Sequence, residues 1–156
     1  MDFVRVAKLY SQVRKRGLHM STLDALPVEF LFRMELDLGE KQVMPRGPQG
    51  TRVYAQVAGG RVEGPRLKGT VAPGADWVTV RADGSAQLDV RLVITADDGS
   101  VIFMQYQGLL GADGIPRTAP LFQAAAEQHQ WLNHVQGIGI GKSTDDGVTY
   151  EVYGLR

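Results

Sequence analysis

Cysteine is absent from the chain, which removes disulfide frameworks, thiolate metal sites and a cysteine nucleophile together. Surplus charge of one sign is also lacking, since 17 basic and 17 acidic side chains cancel. The basic residues that do cluster (Arg5, Lys8, Arg14, Lys15, Arg16) lie in the first 20 positions, so the rest of the chain is left acidic. A phosphate backbone finds no basic surplus there, and nucleic acid is not an expected partner. Long apolar runs are missing too, so no membrane span is expected. No leader pattern opens the chain, and the cytoplasm is the expected compartment. Histidine is scarce: His129 and His134 are five apart and share no helical face well, and His19 stands far from both. Solvated surface positions are expected for all three, with no metal and no cofactor. No nucleophile elbow or Ser/His/Asp order is present.

What remains is 156 residues, 44% hydrophobic, with 19 glycines. That length suits one folded domain with a real core. Residues 1–26 read as a basic extension, and residues 27–156 as the domain. In the extension, Phe3, Val6, Ala7, Tyr10 and Val13 fall at helical spacing and Gly17 ends the helix. It reads either as an appended tail or as an amphipathic anchor.

From Pro27 the period becomes two. Phe30, Phe32, Met34, Leu36 and Leu38 alternate with Leu31, Arg33, Glu35 and Asp37, as in a half-buried strand with one polar face. Residues 39–50 read as a loop through Pro45, Gly47 and Pro48. Further strands are expected near 51–58, 61–71, 76–81, 86–95, 101–108, 117–124, 135–142 and 148–155. Gly59-Gly60, Pro73-Gly74 and four Asp-Gly pairs (83–84, 98–99, 113–114, 146–147) punctuate them as turns. Only residues 124–133 read as helix. The fold class is all-β: an antiparallel up-and-down barrel of about eight or nine strands with one short helix and a helical N-terminal extension. Closure removes the two edges that such a meander would otherwise expose.

Hairpin register gives a sharper expectation. If Asp83-Gly84 and Asp98-Gly99 are two-residue loops, Arg91 falls between Asp76 and Tyr106 on one face. Asp89 and Met104 share that face, and Trp77, Leu88, Val90, Leu92 and Phe103 take the other. A one-residue bulge at either loop would exchange the faces. An Asp, an Arg and a Tyr among aliphatics have the composition of a small-molecule pocket. Asp89 is the candidate acid/base, Arg91 and Arg52 would orient an anionic or carbonyl group, and Tyr106 would donate a hydrogen bond. The bland alternative is a cross-strand Asp–Arg pair. Trp77 reinforces the opposite layer, or lines the pocket if the register slips. Arg117 is a candidate for an anionic ligand group. Phe122 and Trp131 gather around the short helix, where Trp131 is either a core anchor or a pocket wall. The Gly59-to-Pro65 stretch lacks a phosphate-loop ending and precedes a strand. Gly137, Gly139 and Gly141 leave one strand face bare, suiting close approach by a ligand, by Trp131 or by another strand.

Gly50-Thr51-Arg52, Glu63-Gly64-Pro65, Gly74-Ala75-Asp76-Trp77, Leu88-Asp89-Val90-Arg91, Asp97-Asp98-Gly99 and Trp131-Leu132-Asn133 occur here in an order that resembles the domain-of-unknown-function 3237 family. That family is also called uncharacterised protein family 0311. With Phe30 to Gly39 and the last strand, the resemblance spans roughly residues 27–155. It implies a small bacterial or fungal antiparallel barrel that is homo-oligomeric, and little about activity. The expected function is a barrel binding a small hydrophobic or aromatic molecule in its lumen, as a lyase, isomerase or cyclase. The alternatives are a carrier without chemistry and a structural barrel with a packed lumen.

Overall fold

The computed structural model describes residues 24–144 and 146–156. The helix expected within residues 1–17 lies outside them. Nine strands follow in order: β1 (Val28–Gly47), β2 (Gly50–Glu63), β3 (Lys68–Val71), β4 (Gly74–Val80), β5 (Ala86–Ala96), β6 (Val101–Leu110), β7 (Pro116–Ala124), β8 (Gly137–Ser143) and β9 (Gly147–Leu155). All pairings are antiparallel, and the sheet closes on itself because β1 pairs with both β9 and β2. β3 and β4 share one position in the ring, stacked end to end between β2 and β5. The expected all-β antiparallel barrel is therefore the fold.

Several boundaries differ from the expectation. The segment read as a loop over residues 39–50 is mostly strand. β1 bends at irregular register between Asp37 and Lys41, then continues to Gly47 in a hairpin with β2. Pairing of β1 with β9 stops at Asp37↔Gly147, so Pro45 stands on an edge with no ladder partner on its outer side. Gly59-Gly60 is not a turn either. β2 runs through it, leaving β4 after Val57 and meeting β3 at Gly60. β1 approaches so closely there that a Cβ on Gly60 would collide with the Glu35 carbonyl. The strand expected over 61–71 is broken by a turn before Lys68. The expected helix is a 3-10 helix, Glu127–His134. Asn133 ties its end back to β7, accepting from the Ala124 N–H (2.7 Å) and donating to the Ala124 carbonyl (2.8 Å).

The two ends of the barrel differ. At the end carrying the 3-10 helix the interior is solid. Phe32 meets Phe122 edge-on at 6.0 Å, and Leu67, Ile94, Ile102, Met104, Leu132 and Val152 are almost fully buried around them. The helix plugs this end, as a narrow barrel needs side chains to fill its interior. At the opposite end, bounded by the β1–β2, β6–β7 and β8–β9 hairpins, the interior opens into a cavity.

Candidate functional site in the barrel lumen

Register decides which side chains reach that cavity. The Asp83-Gly84 and Asp98-Gly99 loops each contain three residues. Arg81 N–H donates to the Ser85 carbonyl, Gly84 N–H donates to the Arg81 carbonyl, and Gly84 takes φ +82°. The next hairpin repeats this with Ala96, Gly99 (φ +83°) and Ser100. Each is a turn closed by a left-handed glycine bulge. In both loops the Asp side chain accepts from the N–H two residues on, 2.9 Å for Asp83 and 2.8 Å for Asp98. The extra residue slips each ladder by one. Asp76 pairs with Val90 rather than Arg91, and Tyr106 also pairs with Val90.

The expected triad is thereby split. Asp76 and Tyr106 point into the lumen on either side of Val90, whereas Arg91 and Asp89 stand on the outer wall. With Gln105 and Gln107 they line an outer depression of about 370 Å³. Arg52 and Trp77 are outside too, sharing a second groove with Asp89, and Arg52 donates to the Thr79 hydroxyl at 2.9 Å. Trp77 is 52% exposed and meets the Tyr54 ring edge-on at 5.1 Å. Arg117 is bound to the Asp113 carboxylate at 2.7 Å on the surface. Met104 and Phe122 belong to the packed half of the core. Trp131 lies at the plugged end beneath the Arg66 guanidinium, 3.8 Å from its ring centre. His129 is buried rather than solvated, with Nε2 2.8 Å from Asp98 Oδ2, so it fastens the helix to the β5–β6 hairpin.

The lumen cavity measures about 390 Å³. Its wall is mostly aliphatic, from Leu36, Leu38, Val53, Val57, Val78 and Leu88. Its polar side is made by Asp76 from β4, Tyr106 from β6 and Tyr150 from β9, with Lys41 and Ser143 also on the lining. The two phenol rings lie 5.8 Å apart. Tyr150 is absent from the expected site, although the sequence holds a signal for it. Gly137, Gly139 and Gly141 turn their bare faces inward on β8, and Tyr150 on β9 fills the space opposite Gly141. A Cβ on Gly141 would lie 2.6 Å from both the Tyr150 ring and Pro116. The alternating glycines thus announce a large inward side chain on the neighbouring strand.

Electrostatics follow from the apolar surroundings. Burial lifts the Asp76 carboxyl to about 6, and the Asp89 charge adds to the rise. A hydrogen bond from the Asp89 backbone N–H to Asp76 Oδ1 (3.2 Å) opposes it. Burial also raises both phenols, Tyr106 strongly, with Asp76 contributing to each rise. Near neutrality the lumen therefore holds a carboxyl poised between its two forms and two neutral phenols. Such a set can exchange a proton and donate hydrogen bonds within one apolar chamber. No group of three metal-ligating side chains occurs among the described residues, and no helix there is long and apolar enough to cross a membrane.

Comparison with known proteins gives the chain its relatives. The hydroalkoxylation enzyme phnH of Penicillium herquei is 30% identical over 112 residues, covering 72% of each chain. A solved enzyme structure from Penicillium herquei superimposes with a TM-score of 0.76 at 26% identity, over 88% of this chain and 99% of that one. A β-barrel-like protein from Acinetobacter baumannii gives 0.76 at 24% identity, over 86% of this chain and all of the other. The family model described as "Protein of unknown function (DUF3237)" matches residues 26–155, and the chain belongs to that family.

Proposed function

We propose that the barrel binds a small, largely apolar organic molecule in its open end and performs acid/base chemistry on it, with Asp76 as the proton carrier. The observation that carries this reading is the place of Asp76 on the aliphatic wall of the cavity beside Tyr106 and Tyr150, where burial raises its carboxyl to about 6. A general acid/base works best when its pKa lies near the working pH. Tyr106 and Tyr150 stay protonated, so they act as hydrogen-bond donors that orient an oxygen of the ligand.

The relative from Penicillium herquei carries hydroalkoxylation in its name, which is the addition of an alcohol's O–H across a carbon–carbon double bond, forming an ether. The lumen groups suit that step. The Asp76 carboxylic acid gives its proton to one alkene carbon, and the hydroxyl oxygen bonds to the other. The hydroxyl proton then returns to the carboxylate. The carboxyl is regenerated and no oxidant or reductant is consumed. This assigns the acid/base role to Asp76 rather than Asp89, because only Asp76 faces the cavity. A structural barrel with a filled lumen is disfavoured by the cavity itself.

The test is turnover by the intact chain with a panel of hydroxyl-bearing alkenes near pH 6 in heavy water, read by deuterium appearing on the product carbon. Asp76→Asn should lose at least about a hundredfold in rate, the scale of one positioned acid/base. Equal deuterium incorporation by both proteins would remove Asp76 from the reaction.

A further inference from the structure

Backbone pairing between β4 and β5 is interrupted, although the register is the same on both sides. Backbone pairing runs through Ala75↔Arg91 and Asp76↔Val90, lapses opposite Trp77 and Val78, and resumes at Thr79↔Gln87. A regular antiparallel ladder would continue through those two positions. Where the pairing lapses, the Asp89 N–H donates to a side chain instead, Asp76 Oδ1 at 3.2 Å. A buried amide needs an acceptor, and the lumen carboxylate supplies it. Asp76 has no other hydrogen bond among the described residues, so Oδ2 is the oxygen left for the cavity. The Asp89 carboxylate alternates to the far side of the same strand, where it lines both outer grooves.

We propose that Asp89 is a positioning residue for the lumen carboxyl. Its amide clamps Asp76 Oδ1 where the β4–β5 pairing lapses and so presents Oδ2 to the ligand. Its own carboxylate holds a second negative charge against Asp76 from outside the wall. The inference rests on Asp76 as the titrating group of the lumen, but not on any reaction there. The other charged or titratable groups facing that chamber are Tyr106 from β6, Tyr150 from β9 and Lys41 from β1. Among the carboxylates, Asp89 is the one whose charge raises Asp76. Asp89→Asn keeps the amide and removes only the charge.

The experiment is a nuclear magnetic resonance titration of the Asp76 carboxyl carbon and the Asp89 amide in the full chain. In the wild type the Asp89 amide should move with the midpoint of Asp76. In Asp89→Asn the Asp76 midpoint should fall by about half a pH unit, as expected for losing one charge across a protein wall. Asp89→Glu should restore most of the difference. In turnover, the alkaline limb of the rate profile, where Asp76 loses its proton, should move to lower pH with the midpoint in Asp89→Asn while KM holds. A wild-type Asp89 amide that ignores the Asp76 titration overturns the clamp. An unmoved Asp76 midpoint in a folded Asp89→Asn chain overturns the charge. Neither readout requires turnover, so failure of the proposed reaction leaves this inference separately testable.

Discussion

Asp76 sits where a carboxylate is least comfortable, on an aliphatic wall with one backbone amide for company. Its pKa is raised from 3.8 to about 6, so the folded state holds the proton more tightly than the unfolded chain does. Stability therefore falls as pH rises through the interval between those two values, and the full cost is present above it. A rise of that size corresponds to roughly 2–3 kcal/mol. Asp76→Asn should then stabilise the protein by about 2 kcal/mol at pH 8, a gain shrinking to nothing near pH 4. Urea denaturation at a series of pH values measures it. An Asn no more stable than Asp at pH 8 would mean that the carboxylate is better solvated than its surroundings suggest. The chemistry of this position was legible in the sequence only in part. An acid and a phenol on one face were readable from spacing, and both do reach the lumen. The guanidinium between them was not, because alternation fixes faces only once the loop length is known.

Loop length is a property of the element, and the elements show where the sequence was silent. An Asp-Gly pair serves both a two-residue loop and a three-residue loop with a glycine bulge. Here the Asp side chain caps the N–H two residues on, and only the Gly takes the left-handed conformation, which selects the longer loop. One residue per hairpin sent Arg91 and Asp89 outward, whereas Trp77 stays on the face opposite Asp76, as alternation alone requires. The β8 glycines are the converse case. Their alternation was plain, but what occupies the bare face depends on β9, which a single strand's pattern does not reveal. The two kinds of glycine predict different losses. Gly99 has open space around its Cβ position, so Gly99→Ala should cost about 1 kcal/mol from backbone strain alone and leave the lumen unchanged. Gly141→Ala drives a methyl against the Tyr150 ring and Pro116. It should cost about 1–3 kcal/mol by overpacking. It should also alter the tyrosine near-ultraviolet circular dichroism, which Gly99→Ala should not. Identical spectra for the two variants would show that Tyr150 is not held by the glycine face.

At the scale of the molecule, one narrow barrel is divided into a packed half and a hollow half. Phe32, Phe122, Leu132 and Met104 fill the end under the 3-10 helix, whereas the other end keeps a cavity beside the Tyr106–Tyr150 pair. The number of short strands on short turns suggests closure of the sheet, since an open meander would expose two edges. It gives no measure of how the interior volume divides, because that depends on which large side chains fall at the same height in the ring. A lumen kept hollow for a ligand responds to filling differently from one hollow by poor packing. Val53 lines the open half and is only half-buried, so Val53→Phe places a ring into existing space. Filling a cavity commonly adds about 0.5–2 kcal/mol of stability. The variant should therefore melt at or above the wild-type temperature while losing at least about tenfold in affinity for an apolar fluorescent probe, read by titrating the probe with protein. A variant that binds the probe as tightly as the wild type would place the binding outside the barrel, on the grooves around Trp77 and Asp89.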